Sequence, residues 1–467
     1  MIKFRAIFSL SALAAARAVE PAAPSPTWAH DIAPILYQNC VQCHRPDQVA
    51  PFSLLGYSDA AKRARFLAKA VRARYMPPWS PDGPHDAFLD ERRLSEAQIA
   101  LISTWAGAGA PAGDLASAPP VPPAPIDGWV LGPPDLVVHM PRPFHVPKGP
   151  EDIYMVFPIP FSLQSVPAAV LAQARLPQSD ALAVAAVEIQ PGNRRVFHHA
   201  DVWVDLTGTA RQLEQRAGGT GYASFGTPGF PPALYLGGRV PGITPRFLPE
   251  GIAASVMPFE GGDIALQVHY APTGKEETDQ SEIGVYFMRD PVKRIVDSIF
   301  LRSFNIEIPA GAAAHTIEDE LEIPADCMLL SVFPHMHLLG REVHAHVLLP
   351  DGTRQELLDI SHWSFQWQDR YFYRKPLFLP KGTRVFCRWV FDNSDRNKQN
   401  PHVPAQTVRF GPNATDEMCE FHLGIIPVNL AETALFPAAR EKKLREKIAE
   451  LSAEQRARYN WNEVLER

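Results

Sequence analysis

The chain has 467 residues, too many for one hydrophobic core, so two to four domains are expected. Apolar residues at 46% and charged residues at 21% match a folded soluble protein rather than a disordered one. The balance of 45 basic to 51 acidic side chains leaves a net charge of -6 without any Lys/Arg run, which leaves no electrostatic basis for gripping nucleic acid. The 47 prolines are spread along the chain, which disfavours long helices and suits loop-rich β-domains.

In chain order, Lys3 and Arg5 precede an apolar run from Ala6 to Ala16, and Ala16-Arg17-Ala18 has the small-x-small form of a cleavage site. This predicts an export signal over 1–18 and delivery to a bacterial periplasm or the exterior. No later segment is long and apolar enough to span a bilayer. Residues 27–114 read as a small all-α domain. Asp31 to Asn39 and Ser58 to Arg74 carry helical spacing, and Ser95 with Gln98 forms a capping box that opens a helix through Trp105. The Pro-rich segment 115–126 is a stiff linker. Beyond it the pattern turns to strands, with period-two alternation in Phe197 to Asp205, Asp263 to Tyr270 and Gly284 to Met288. Some 300 residues of this exceed one sandwich, so two all-β jelly-roll or sandwich domains are expected, over 127–292 and 293–432. A charged helical tail follows at 433–467.

Cys40-Val41-Gln42-Cys43-His44 is the C-x-x-C-H pattern of covalent c-type haem attachment. Cys40 and Cys43 would bond the porphyrin and His44 would be an axial ligand. Met76, in Tyr75-Met76-Pro77-Pro78-Trp79, is the candidate second axial ligand, with His30 and His85 as rivals. The segment is similar to short class I cytochrome c modules of bacteria.

The β region carries four further motifs: His198-His199, His269 in Val268-His269-Tyr270, His335-Met336-His337, and Met418 in Asp416-Glu417-Met418-Cys419. Imidazole suits copper, and a thioether suits its reduced state. On a strand, His335 and His337 point to one face, whereas His198 and His199 diverge unless the strand bends. His269 lies opposite the apolar stripe of Ile264, Leu266 and Val268. Zinc on the same imidazoles is an alternative that a thioether ligand disfavours. His344 and His346 form another His-x-His that reads as structural, and His139, His145, His315, His362, His402 and His422 read as ordinary.

These four motifs, in this order, resemble the copper type II ascorbate-dependent monooxygenases, the peptidylglycine- and dopamine-hydroxylating type, over about Asp127 to Leu430. The resemblance implies two copper ions. His198, His199 and His269 would hold the electron-storing one; His335, His337 and Met418 would hold the one that binds dioxygen and does catalysis. It also implies a Cys387–Cys419 disulfide, leaving Cys327 without a partner. The implied reaction hydroxylates a C–H bond of a small organic substrate with one atom of O2. Electrons would come from the fused haem c, from ascorbate, or from a redox partner protein. Peptide-amidating members have an Arg two residues before His-x-His and a Tyr four residues after the Met. Phe333 and His422 stand there, which argues against peptidylglycine. Two other readings stay open: a copper and haem electron-transfer protein, and a copper-binding protein without oxygenase activity.

Overall fold

The computed structural model describes residues 25–46, 48, 50–177, 179–230, 234–240 and 243–457. The expected export signal and the end of the tail lie outside these residues. The described chain forms two compact units, one comprising residues up to Pro77 with Leu94–Pro122, the other Pro78–Arg93 with Pro123–Arg467.

The first unit is helical. α1 (Ala33–Asn39), α2 (Tyr57–Lys62), α3 (Ala64–Arg72) and α4 (Glu96–Gly107) follow a π-helical turn at Trp28–Ile32. The stretch expected as one helix from Ser58 breaks at Arg63. α4 starts where its capping box puts it: Gln98 donates its backbone N–H to Ser95 Oγ at 3.2 Å, and Ser95 donates its own to Gln98 Oε1 at 2.9 Å. Ile99, Ile102 and Trp105 recur at helical spacing along one buried stripe. Trp28, Leu36, Leu67, Ile102 and Trp105 make the core. Residues 78–93 depart from the expected 27–114 domain. Their apolar and charged side chains find partners on the β-unit, to which they belong.

The second unit has two sandwiches, each with its own core. In the N-terminal one, a sheet ordered Leu136–His139, Glu282–Phe287, Ala181–Gln190, Ser255–Pro258 accompanies one ordered Tyr222–Ala223, Ile153–Phe161, Gly262–Tyr270, Phe197–Asp205, Leu234–Arg239. Leu182, Val184, Ile283, Ile264, Leu266 and Val268 fill the space between. The alternation that predicted the Gly262–Tyr270 strand thus sends Ile264, Leu266 and Val268 inward and His269 to the other face. In the C-terminal sandwich the orders are Asp297–Arg302, Cys419–Pro427, Cys327–Met336, Tyr371–Leu379 and His315–Glu322, Arg384–Phe391, Gly340–Leu348, Arg354–Ile360. Leu329, Phe421, Leu423, Val343, Val385 and Trp389 are buried between these sheets. The tail helix Leu435–Ala449 docks on this sandwich through Phe436, while Leu444 and Ile448 pack against Phe304.

The segment Pro78–Arg93 runs as a strap along Tyr371–Leu379, an edge strand of its sheet. Leu89 donates its N–H to Phe372 O at 2.7 Å, Arg374 donates to Ala87 O at 3.0 Å, and Phe88 bridges Tyr373 in antiparallel fashion. Trp79 meets Tyr371 edge-on at 5.4 Å. The strap satisfies backbone groups that an edge strand otherwise exposes. Among the described residues, no helix is long and apolar enough to cross a membrane.

Candidate metal centres

The first centre is built on a β-bulge. Strands Phe197–Asp205 and Gly262–Tyr270 pair with His269 opposite His199 and Tyr270 opposite Phe197, so His198 is the extra residue. A bulge lets two successive side chains turn the same way, which removes the divergence expected on a regular strand. His199 Nδ1 lies 3.1 Å from His198 Nδ1 and 3.2 Å from His269 Nδ1. Candidate ligand atoms of all three lie within 4.8 Å of one another. Imidazole nitrogens bonded at about 2.0–2.1 Å to one first-row ion sit about 2.8–3.6 Å apart at angles of about 90–120°, and both spacings fall in that span.

The surroundings keep His198 and His199 neutral and orient the cluster. Burial, then His269, pushes His198 down to about 3, and burial drives His199 well below its ordinary value. Neutral imidazole is the form that binds metal. Tyr154 stacks on His269 at 4.2 Å and 13°. Asp152 Oδ1 lies 3.4 Å from His269 Nε2, within ion-pair reach but without hydrogen-bond alignment. Burial raises the Asp152 carboxyl, yet His269 and the Ala414 amide outweigh it and the net shift is downward. Ala414 N–H donates to Asp152 Oδ2 at 2.9 Å and Tyr154 OH to Pro412 O at 2.8 Å. These bonds tie the N-terminal sandwich to the loop that leads to Met418.

The second group sits on the C-terminal sandwich. His335 and His337 flank the buried Met336, with ring centroids 5.2 Å apart and planes at 86°. His335 Nδ1 meets Gln368 Oε1 at 2.5 Å, and His337 Nδ1 meets Asp416 O at 3.2 Å. Both Nδ1 atoms being engaged leaves both Nε2 atoms to face a ligand. Burial lowers both rings, His337 to about 3 with help from His335. Strand pairing sets His335 opposite Glu420 and Met336 opposite Cys419, where the ladder ends; His337 and Met418 are the next residues beyond it on the two strands. The fully buried Glu417 fastens this arrangement. Its carboxylate accepts backbone N–H bonds from His337, from Leu339 at 3.0 Å and from Met418 at 2.9 Å. Burial pushes that carboxyl up to about 8.

Other expected site residues are placed differently. Cys387 and Cys419 face each other from the two sheets of the C-terminal sandwich, but both are thiols, not the disulfide the resemblance implies. Cys419 Sγ turns instead toward Ser303 O at 4.0 Å. Cys327 is also a buried thiol, pushed up to about 12 by burial. His344 is engaged by Asp359 and by Glu342 at 3.1 Å, and His346 stacks on Phe386 at 4.9 Å, so this pair serves the strand. His422 bonds Glu420 Oε2 at 2.7 Å. Asp152, Tyr154, Phe365, Gln368 and Glu420 were not singled out by sequence. Only Glu417 lay within a recognised motif.

In the helical unit, Cys40 caps α1 and His44 N–H donates to Cys40 O at 2.9 Å. Burial, then Cys43, pushes the Cys40 thiol up to about 12. His44 Nδ1 lies 3.1 Å from Phe52 O and its ring packs on Phe52 at 4.6 Å, which leaves Nε2 as the free ring nitrogen. That is the arrangement an axial haem histidine requires. Met76 follows α3, half-buried. Its rival His85 lies in the strap, paired with Glu91 at 2.7 Å.

A two-sandwich unit carrying three convergent histidines and a separate His-x-His pair is a candidate redox-metal protein. Residues 309–430 match the family model described as "Copper type II ascorbate-dependent monooxygenase, C-terminal domain". That match supports this family, and with it a copper oxidoreductase of the monooxygenase type. No curated protein matches the chain. Among solved structures, it is similar to the VP2 subviral particle of infectious bursal disease virus at 9% identity, covering 66% of this chain and 74% of that one, with a TM-score of 0.18. A putative secreted protein from Eubacterium rectale gives 7% identity, coverages of 61% and 69%, and a TM-score of 0.18. PNGF-II gives 9%, coverages of 62% and 60%, and 0.20. At such TM-scores these likenesses carry no argument about fold or function.

Proposed function

We propose that the protein hydroxylates a C–H bond of a small organic substrate with O2, using copper at both histidine centres. Electrons would come from a haem c on Cys40 and Cys43 or from ascorbate. The observation that carries this reading is the pairing of two unlike centres in one unit. One is an all-imidazole cluster at metal-ligand spacing. The other is a His-x-His pair whose Nδ1 atoms are already engaged, with Met418 one residue before the strand that pairs with it.

Bound copper would supply one-electron redox steps and the activation of dioxygen. The protein's own groups do the rest. Gln368 and the Asp416 carbonyl fix the tautomers of His335 and His337, so both Nε2 lone pairs are presented without rearrangement. Met418 is a soft donor suited to the reduced ion. One oxygen atom enters the substrate, and the other leaves as water with two electrons and two protons. Each haem or copper carries one electron, which matches the stepwise demand. His44 and Met76 would hold the haem iron.

The test is direct. Purified protein is assayed for copper equivalents and for the haem c absorption spectrum, reduced anaerobically with ascorbate, and exposed to O2 with candidate substrates. Two coppers and product-coupled O2 uptake are expected. Copper binding without reductant-driven O2 uptake would favour electron transfer and sink the oxygenase reading.

A further inference from the structure

We infer that the face beside His335 is a subsite for an organic carboxylate, with Arg370 holding the anion and Phe333 carrying the substrate's carbon body. This deepens the proposed function and rests on it for the reaction, though not for the binding.

Phe333 lies two residues before His335 on the same strand, so both rings stand on one face; their centroids are 6.4 Å apart and the planes differ by 16°. The guanidinium carbon of Arg370 lies 5.4 Å from the Phe333 centroid. Cation, ring and imidazole therefore form a row that ends at the candidate dioxygen site.

Direct pairing around this row is uneven. Among the described residues, the Arg370 guanidinium makes no direct hydrogen bond or ion pair; Tyr235, Asp201 and Asp369 attract it from further off, and it lies beside the Phe333 ring. Three other arginines of the same unit all have acids: Arg92 with Asp369 at 2.7 Å, Arg302 with Glu420 at 3.5 Å, and Arg246 with Asp90. The acids near Arg370 attract it but make their direct bonds elsewhere. Asp369 holds Arg92, and Asp201 accepts from Tyr235 OH at 2.8 Å. Burial lowers the Arg370 pKa, a sign that its charge is poorly solvated. A guanidinium in that state, with a planar fork of donors unused, is matched by a carboxylate that can take two of them. The Phe333 ring beside it favours an apolar or aryl carbon body over an inorganic anion. A substrate amine would meet like charge.

The test uses the full copper-loaded chain, reduced and anaerobic so that no turnover occurs, titrated calorimetrically with phenylacetate, phenylacetamide and phenethylamine. Phenylacetate should bind at least about tenfold tighter than the amide, and the amine not measurably, as expected for one or two charge-assisted hydrogen bonds. Arg370→Met should weaken phenylacetate about tenfold and leave the amide unchanged, while Arg370→Lys recovers part of the loss because it keeps charge without the fork. The same titration on metal-free protein separates this anchor from direct ligation to copper. Acid binding that depends on Arg370 there would stand even if O2 chemistry were absent. Copper loading and O2 uptake with no Arg370-dependent acid binding would overturn the subsite alone. Equal affinities for acid and amide, or inorganic phosphate displacing phenylacetate at equal affinity, would also overturn it.

Discussion

The ring of Phe365 stacks on His198 at 5.1 Å and 19°, and meets His337 edge-on at 5.8 Å, so one side chain stands between the two histidine centres. It is fixed from behind, because Gln368 Nε2 donates to Phe365 O at 3.0 Å. An apolar ring there should limit water at both metal-facing surfaces. Phe365→Ala should leave both copper equivalents in place but admit solvent. We expect O2 consumption per hydroxylated product to rise at least about twofold, with a stability loss below the ~3–5 kcal/mol of a fully buried Phe, since Phe365 is only half-buried. The check is simultaneous O2-electrode and product measurement. Unchanged coupling would show that the ring is mere packing.

Of the metal-facing imidazoles, Gln368 bonds His335 alone. Replacing it with Leu removes the acceptor at His335 Nδ1 and lets the ring tautomerise or rotate. Loss of such an outer partner weakens metal affinity about 10–100-fold. Chelator competition on Gln368→Leu should therefore strip one copper readily and leave the other, held by His198, His199 and His269, at wild-type affinity. Equal weakening of both would mean that the two centres are not independent.

Much of the scaffold was legible because it follows local rules. The Phe197–Asp205 strand and the α4 capping box lie where alternation and the Ser95–Gln98 pair put them. The bulge at His198 was not legible, since it exists only through pairing with Tyr270, more than seventy residues on. Nor was the strap: residues 78–93 fell within the expected 27–114 helical domain, and their partners Asp369, Phe372 and Tyr373 lie about 280 residues downstream. Asp152, Tyr154 and Arg370 sit outside any motif. Motifs disclose the groups that touch a ligand; the residues that orient them are chosen by tertiary contact.

The C-terminal sandwich has three cysteines, all buried thiols. Burial pushes Cys327 up to about 12 and drives Cys387 and Cys419 well above the ordinary range. Thiolate is the reactive form, so none should react with a thiol reagent at pH 8 in the native state. After denaturation under non-reducing conditions, all three should titrate. Recovery of only one thiol would show that Cys387 and Cys419 are joined, as the family resemblance implies.

The strap's anchor should be tested through its pH dependence. Arg92 and Asp369 pair at 2.7 Å with side chains 13% and 8% exposed, and Arg92 also lies over Trp367 at 4.9 Å. Burial raises the Asp369 carboxyl to about 6, against the pull of Arg92. Because the folded value exceeds the ordinary 3.8, the native state holds this proton more tightly than the unfolded chain. This group's contribution to stability is therefore largest at low pH and falls as pH rises from about 4 to about 6, by at most about 3 kcal/mol. Asp369→Asn should flatten that part of the stability–pH profile. Arg92→Ala leaves a buried carboxylate without its direct ion pair, which should cost about 3–5 kcal/mol at pH 8, where it must ionise. At pH 5 it can keep its proton, and the cost should be distinctly smaller. In the double variant most of the pH 8 penalty should vanish, because no buried charge remains unpaired. Urea unfolding of the four proteins at both pH values reads these differences. An Arg92→Ala penalty that is larger at pH 5 than at pH 8 would contradict the assignment of Asp369 as the group that needs Arg92.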